Sequence, residues 1–442
     1  MRSGSRRTAR GVLVVAVALL VSCSNTSGGS GTPAAGSQWP GWGFTHTQFS
    51  ADHGSARAVA EVRQTLADRP VAQNQHIMGW GAENPEPAPG VYRFDSLDDR
   101  IGFIRSTGGT PVITLCCAPD WMKGGQAGQT DWDQLTTAPE PEHYGDFAAL
   151  SATIARRYPD VRHFLVWNEF KGFFDEENNR WDAEGYTDLY NEVYSALKAV
   201  DPRIRVGGPY LDMAAPPVGT TDHGSALRGG WGTVDQRTLD AFDYWLANKS
   251  GADFVVVDGH AESTAEAPDE APDATPNSAT EGFAAVRKFA AVSQWVKART
   301  HLPLWWAEWY VEPARSGWSG PQQTAVRVAA MIEMAKSGVN TALYWNPRPR
   351  GEECPTCLWT DTDAPGGGAP LPFLTSVLQN FAQWFPPGTP LEDVRAPATI
   401  RVLAQPRMLL AVNTTAQPVT ASFDGREQQL AGYETRWIPR AA

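Results

Sequence analysis

Two short stretches of the chain carry side chains able to do covalent chemistry. In HFLVWNE, residues 163–169, an aliphatic and aromatic run ends in Trp167 and is followed at once by Asn168 and Glu169. Much later, LPLWWAEWY, residues 302–310, sets Glu308 in the same relation to a run containing Trp305 and Trp306, with Trp309 next to it. A carboxylate at the end of a buried run is costly to keep ionised and unpaired. An arginine at the rim would account for one such Glu, but for two on well-separated segments a functional pair is the stronger reading. Two carboxyls tuned apart, one protonated and one ionised, fit glycoside hydrolysis. One protonates the leaving oxygen while the other attacks the anomeric carbon or activates water. Neighbouring indoles supply flat apolar faces that suit sugar rings.

Such a pair has to be positioned by a frame. From Trp39 to about residue 384, short apolar runs alternate with amphipathic stretches. VAQNQHIMGWG, TPVITLCCAP, VRHFLVWNE, IRVGGP, DFVVVDGH, LPLWWAEWY and NTALYWN read as buried strands, with GWGFTHT as a weaker first. Between them, YGDFAALSATIARRY places Tyr144, Phe147, Leu150, Ile154 and Tyr158 on one helical face. TDLYNEVYSALKAVDP repeats the pattern through Leu189, Val193 and Leu197 and stops at Asp201-Pro202. Eight strands alternating with helices predict an α/β chain folded as a (β/α)8 barrel. A doubly wound sheet would announce itself with a Gly-rich phosphate loop, and none follows an early strand. In such a barrel the active site lies just past the C-terminal strand ends, where Glu169 and Glu308 fall. After QNFAQWFPPGTP, the short runs TIRVLAQ, RMLLAVN, PVTASFDG and YETRWIP predict a small β-sandwich over 385–442, packed on a barrel spanning 39–384. AESTAEAPDEAPDATPNSATEG, after the sixth strand, is acidic, Pro-rich and aromatic-free, and reads as a mobile solvated loop in preference to a calcium site.

Composition narrows the partners. The 442-residue chain has 42% hydrophobic residues and a net charge of −12, and its leader holds Arg2, Arg6, Arg7 and Arg10, so the remainder is more acidic still. That surface repels nucleic acid and anionic membranes. Its 18 Trp residues serve as core filler or as ligand platforms. Residues 1–22 read as a signal peptide, a basic start followed by the apolar GVLVVAVALLV, too short to span a membrane comfortably. LVSC, 20–23, resembles the bacterial lipobox, which implies cleavage before Cys23, lipid on its sulfur, and a place outside the cytoplasmic membrane. Residues 23–38 are a flexible tether by composition. Export permits disulfides among Cys116, Cys117, Cys354 and Cys357, in any of three pairings. A zinc site is disfavoured because no His stands at ligand spacing beside either pair.

At the strand ends the chain resembles clan A of the glycoside hydrolases, and family 39 most closely. The resemblance implies that Asn168 hydrogen-bonds the sugar 2-hydroxyl, that Glu169 is the acid/base and that Glu308 is the nucleophile. PGVYRFDSLD, VGGP at 206–209 and His260 match further positions of that family, and Trp345 followed by Glu352 and Glu353 matches residues that hold sugar hydroxyls. The implied reaction is double displacement with retention, for which the two carboxyls stand about 5 to 5.5 Å apart. It requires no metal or organic cofactor, and its partner is an oligosaccharide or polysaccharide. Two departures bear on substrate: Phe170 and Lys171 follow the Glu where the family has Pro and then Asn or Asp, and Ala261 and Glu262 follow His260 in place of aromatic residues.

Other positions carry weaker expectations. His46 follows the first strand and is expected either to touch a hydroxyl or to act as a structural hydrogen bonder. Of Trp80, Trp121, Trp309 and Trp345, about half are expected in the cleft and half in the core. Lys171 is expected to face either solvent or an acidic substituent. Three alternatives stand beside the retaining hydrolase: an endo-acting hydrolase of a cell-envelope polysaccharide, which needs an open cleft; a glycan-binding lipoprotein without catalysis; and a purely structural lipoprotein.

Overall fold

The computed structural model describes residues 38–262, 279–312, 317–345, 354 and 356–440. Eight parallel strands close into a barrel in which each strand pairs with its chain neighbours and the last returns to the first. They are β1 (Trp42–Thr45), β2 (Ala72–His76), β3 (Thr110–Leu115), β4 (His163–Val166), β5 (Arg205–Asp212), β6 (Phe254–Glu262), β7 (Leu304–Glu312) and β8 (Thr341–Trp345). The predicted (β/α)8 barrel is therefore the observed fold. Every apolar run named above supplies its strand, including the weaker GWGFTHT.

The outer layer runs through α1 (Ala56–Asp68), α2 (Asp95–Ser106), α3 (Tyr144–Arg157), α4 (Ala183–Val200), α5 (Gln236–Asn248), α6 (Ala279–Ala285), α7 (Arg287–Lys297), α8 (Gly320–Lys336) and α9 (Gln379–Trp384). Local chemistry sets their ends. The side chains of Ser55, Asp182, Asp235 and Ser319 accept hydrogen bonds from first-turn N–H groups of α1, α4, α5 and α8. α4 stops at Asp201 because the residue before a proline is pushed out of the helical region. Tyr144, Phe147, Leu150 and Ile154 are buried on one side of α3, as their spacing predicts.

Inside the barrel, Val112, Leu165, Tyr210, Phe254, Val256, Trp305 and Ala307 form a separate core. Trp39 covers its lower end, edge-on to Phe254 and Trp305 at 6.0 and 6.1 Å. Beyond the barrel, β9 (Ile400–Gln405), β10 (Met408–Asn413) and β13 (Thr435–Pro439) form an antiparallel sheet, and β11 (Val419–Phe423) pairs with β12 (Arg426–Leu430). Their facing side chains, among them Val402, Leu409, Phe423 and Leu430, make the core of the expected small sandwich.

The cysteines form two local disulfides, Cys116–Cys117 and Cys354–Cys357. Cys23, Glu352, Glu353 and most of the acidic stretch, 263–278, lie outside the described residues. Among the described residues no helix is long and apolar enough to cross a membrane.

Candidate active site

The C-terminal mouth of the barrel holds a cavity of about 290 Å³ between the ends of β4, β5, β6, β7 and β8. Glu169 reaches it from β4 through an unusual backbone. Trp167, Glu169 and Phe170 all have left-handed φ, at 66°, 53° and 56°, a conformation that costs a non-glycine residue free energy and persists only when its surroundings enforce it. The enforcement is visible here. Trp167 Nε1 donates to the Lys171 carbonyl at 2.8 Å, Phe170 stacks on Tyr186 at 4.0 Å, and the Tyr186 hydroxyl donates to the Val166 carbonyl at 2.9 Å.

Glu308 reaches the same cavity by a different device. Between Trp306 and Trp309, β7 has one residue more than β6 and β8 opposite it. This β-bulge turns both Ala307 and Glu308 inward, because an extra residue shifts the alternation of side chains from that point on. A second bulge in β5, opposite Val256–Val257, falls at Tyr210, whose φ is 59°. The two irregularities meet where the Tyr210 hydroxyl donates to Glu308 Oε1 at 2.8 Å.

A third carboxyl completes the cluster. Asp258 is 1% exposed, and Glu169, Asp258 and Glu308 each present an oxygen within 4.8 Å of the other two. Asp212, at the end of β5, lines the same cavity. Burial and the negative charge of Glu169 and Glu308 push the Asp258 carboxyl far above the usual carboxylate range, so it stays protonated and shares its proton in a hydrogen bond with Glu169. Glu169 is held below its ordinary value: burial works the other way, but the bond from Asp258 and the ammonium of Lys171, ion-paired with it, outweigh burial. Burial, reinforced by the Glu169 charge, raises Glu308 to about 8, against the opposing pull of Lys171 and the Tyr210 hydroxyl. Groups this close titrate as a set, and the set holds fewer negative charges at neutral pH than it has carboxyls.

The remaining sequence-derived positions separate into three groups. Trp80, His260 and Trp345 join Glu169 and Glu308 around the cavity, as does Lys171, which lies 5.6 Å from the centre of the Trp80 ring. Asn168 is buried just behind Glu169, and neither atom of its amide makes a well-formed hydrogen bond among the described residues; its polar neighbour is the imidazole of His76. His46, Trp121 and Trp309 stand elsewhere. His46 bonds Ser50 Oγ at 2.6 Å and Gln73 Oε1 at 3.0 Å, so both ring nitrogens are engaged in the fold. Trp121 donates to the Glu86 carbonyl at 2.8 Å and ties two loops together. Trp309 is fully buried between barrel and helices, against Phe289 and Tyr344. The bulge explains this placement, since once Glu308 points inward its neighbour must point outward.

Asp258, Asp212, Tyr210 and Tyr310 escaped the sequence reading. For Asp258 a signal existed. Phe254 and Val256 face the barrel interior and His260 its mouth, so strict alternation through DFVVVDGH places Asp258 inward too.

A family described as glycosyl hydrolases family 39 matches residues 82–342, more than half of the chain. The chain belongs to glycoside hydrolase family 39. A curated relative of this family 39 chain, a β-xylosidase of Caldicellulosiruptor saccharolyticus, is 25% identical over 277 residues, covering 60% of the chain and 50% of the relative. The chain thus spans about half the length of the curated relative it matches. Among solved structures, a family 39 glycoside hydrolase from Bacteroides cellulosilyticus WH2 superposes with a TM-score of 0.52 at 16% identity, covering 83% of this chain and 70% of that one. A family 39 β-xylosidase from Caulobacter crescentus gives 0.51 at 17% identity, covering 88% and 80%. At these identities the likeness concerns the fold.

Proposed function

We propose that this family 39 chain is a retaining glycoside hydrolase in which Glu308 is the nucleophile and Glu169 the acid/base. The observation that carries the reading is the approach of these two carboxyls, from β4 and β7, to within 4.8 Å in one cavity at the barrel mouth. An inverting enzyme needs about 6.5–9.5 Å to seat a water between its carboxyls, whereas retention works at about 5–5.5 Å.

In the first step a Glu308 oxygen forms a bond to the anomeric carbon. The bond from that carbon to the leaving oxygen breaks, and Glu169 delivers its proton to that oxygen. In the second step Glu169 takes a proton from water, the water oxygen bonds the anomeric carbon, and Glu308 is released as a carboxylate. The singly protonated pair is the working form, and its proton has to sit on Glu169 at the start. Lys171 and the Asp258 hydrogen bond favour the opposite arrangement in the free protein, so ligand entry that draws Lys171 away from Glu169 also readies the acid. His260 supports recognition of the ring hydroxyls, and Trp80 and Trp345 its apolar faces; the role of Asn168 at the 2-hydroxyl rests on its place directly before Glu169.

The β-xylosidase relative makes an aryl β-xyloside the first substrate to assay. The reading extends to an extracytoplasmic lipoprotein whose contact with the membrane is a lipid on Cys23 alone, supported by LVSC at 20–23 and by two disulfides, which suit an oxidising compartment. Nucleic acid is not a partner in this reading. Kinetics on a panel of aryl glycosides test it. Glu169→Ala is expected to lose about 10²- to 10⁴-fold and Glu308→Ala at least about 10⁴-fold. Azide should rescue Glu308→Ala with a glycosyl azide of inverted configuration. Turnover surviving in Glu308→Ala without azide would rule out the assigned nucleophile.

A further inference from the structure

Beside the catalytic cavity lies a second one of about 300 Å³, and the two share Trp80. Gly79, Gly81 and Ala82 line it together with Leu135 and Trp132. Its backbone floor is made possible by glycine. Gly79 and Gly81 have φ of 75° and 98°, and a Cβ would come within 2.5 Å of Leu135 at the first and 1.9 Å of the Arg100 guanidinium at the second. Trp132 is 49% exposed, one of few large hydrophobic side chains so open to solvent among the described residues.

The segment carrying Trp132 is tied down on every side. Asn84 Nδ2 donates to Thr130 Oγ1 at 3.0 Å, Gly128 N donates to the Pro87 carbonyl at 2.7 Å, and Lys123 Nζ donates to the Gln134 carbonyl at 2.6 Å. The loop after β2 and the loop after β3 therefore form one rim, and Trp132 stands on it beside the groove. The exposed half of the indole adds nothing to folding, because its apolar area is left unburied, and its flat face is available to a ligand with an apolar face.

We infer that this groove binds the continuation of the substrate, so that the glycan is a chain longer than a disaccharide running from the catalytic cavity past Trp80 onto Trp132. Each cavity lies near the lower end of the range for small-ligand sites, about 300–1,000 Å³, and a ligand filling both is necessarily longer than one filling either. The inference rests on the hydrolase reading for the nature of the ligand and names its class as oligosaccharide or polysaccharide.

Two measurements on the full chain separate the inference from that reading. The first is affinity of the Glu308→Gln protein, alone and combined with Trp132→Ala or Trp132→Phe, for β-1,4-xylan, α-1,5-arabinan, β-1,4-mannan and β-1,4-glucan oligosaccharides of one to six rings. The second is turnover of aryl glycosides and of the same oligosaccharides with Glu308 intact. Affinity should climb through three or more rings, the climb should fall about tenfold in Trp132→Ala, and Trp132→Phe should recover part of it. A plateau at one or two rings, no binding to any series, or an equal climb in Trp132→Ala overturns the groove. Length-dependent binding that needs Trp132, with neither an aryl glycoside nor a bound oligosaccharide turned over, leaves the groove standing and sinks the hydrolase reading instead.

Discussion

Lys171 is the residue at which the site departs most from a simple pair of carboxyls. Its ammonium is paired with Glu169 and also pulls Glu308 downward. Burial disfavours its own charge, yet the Glu169 carboxylate above all, with Glu308 behind it, holds it above its ordinary value, so it remains a cation throughout the working range. Removing it raises the pKa of both catalytic carboxyls, because a carboxylate that loses a nearby positive charge binds its proton more tightly. The window in which the pair holds one proton is bounded below by Glu169, held under its ordinary value, and above by Glu308, near 8. In Lys171→Met both limbs of the pH dependence of kcat/KM should therefore move to higher pH, by about one unit. Limbs that stay in place or move down would remove Lys171 from the electrostatics of the site. Phe170 and Lys171 were legible in the sequence as departures from the family pattern, but their effect was not, because the ion pair depends on a left-handed turn that no residue of that turn announces.

At the scale of elements, strand existence was legible and strand register was not. Most strands are marked by an apolar run, since burial on both faces leaves a continuous hydrophobic stretch; β2, AQNQH, is buried although four of its five residues are polar. A bulge leaves no such mark. The extra residue in β7 turned Trp309 into the helical layer although Ala-Glu-Trp gave no hint of it, and the β5 bulge lifted Tyr210 to Glu308 from a run read only as far as Pro209. For His46 and Trp121 the structural alternative is the one observed, because a polar tip near a strand end satisfies loop backbone or neighbouring side chains as readily as a ligand. The joined bulges carry a prediction. Tyr210→Phe keeps the ring and its packing but deletes the donor that stabilises ionised Glu308. The Glu308 pKa should rise further, the ionised nucleophile should become scarcer, and kcat should fall roughly ten- to a hundredfold, the range for losing a hydrogen bond to a charged group of about 1.5–3 kcal/mol. KM for an aryl glycoside should change less than kcat. A purely structural role would instead lower the melting temperature and leave kcat near its original value.

The whole molecule poses a different question, which is why a barrel carries a sandwich that contributes no residue to the cavity. The sheet of β9, β10 and β13 has two apolar faces. One meets β11 and β12, while Leu403, Leu410 and Val412 on the other belong to the same core as the barrel helices. Polar contacts fix the seam. Arg401 pairs with Glu333 of α8 and donates to the Phe283 carbonyl at 2.6 Å, and Trp437 Nε1 donates to the Ser376 carbonyl at 2.8 Å beside Phe381 and Phe385. A core shared in this way cannot be exposed on one side without exposing the other, so sandwich and barrel should unfold together. Calorimetry should show one transition with calorimetric and van't Hoff enthalpies in agreement. Leu410→Ala, fully buried at the seam, should move that single peak down, at a cost of about 2–5 kcal/mol for the lost side chain and the cavity left behind. Because the seam lies on helices α8 and α9 and the cavity at the strand ends, KM for an aryl glycoside should be unaltered in the same variant. Two resolved transitions, with Leu410→Ala shifting only one of them, would mean that the sandwich is an independent passenger on the barrel rather than part of its outer wall.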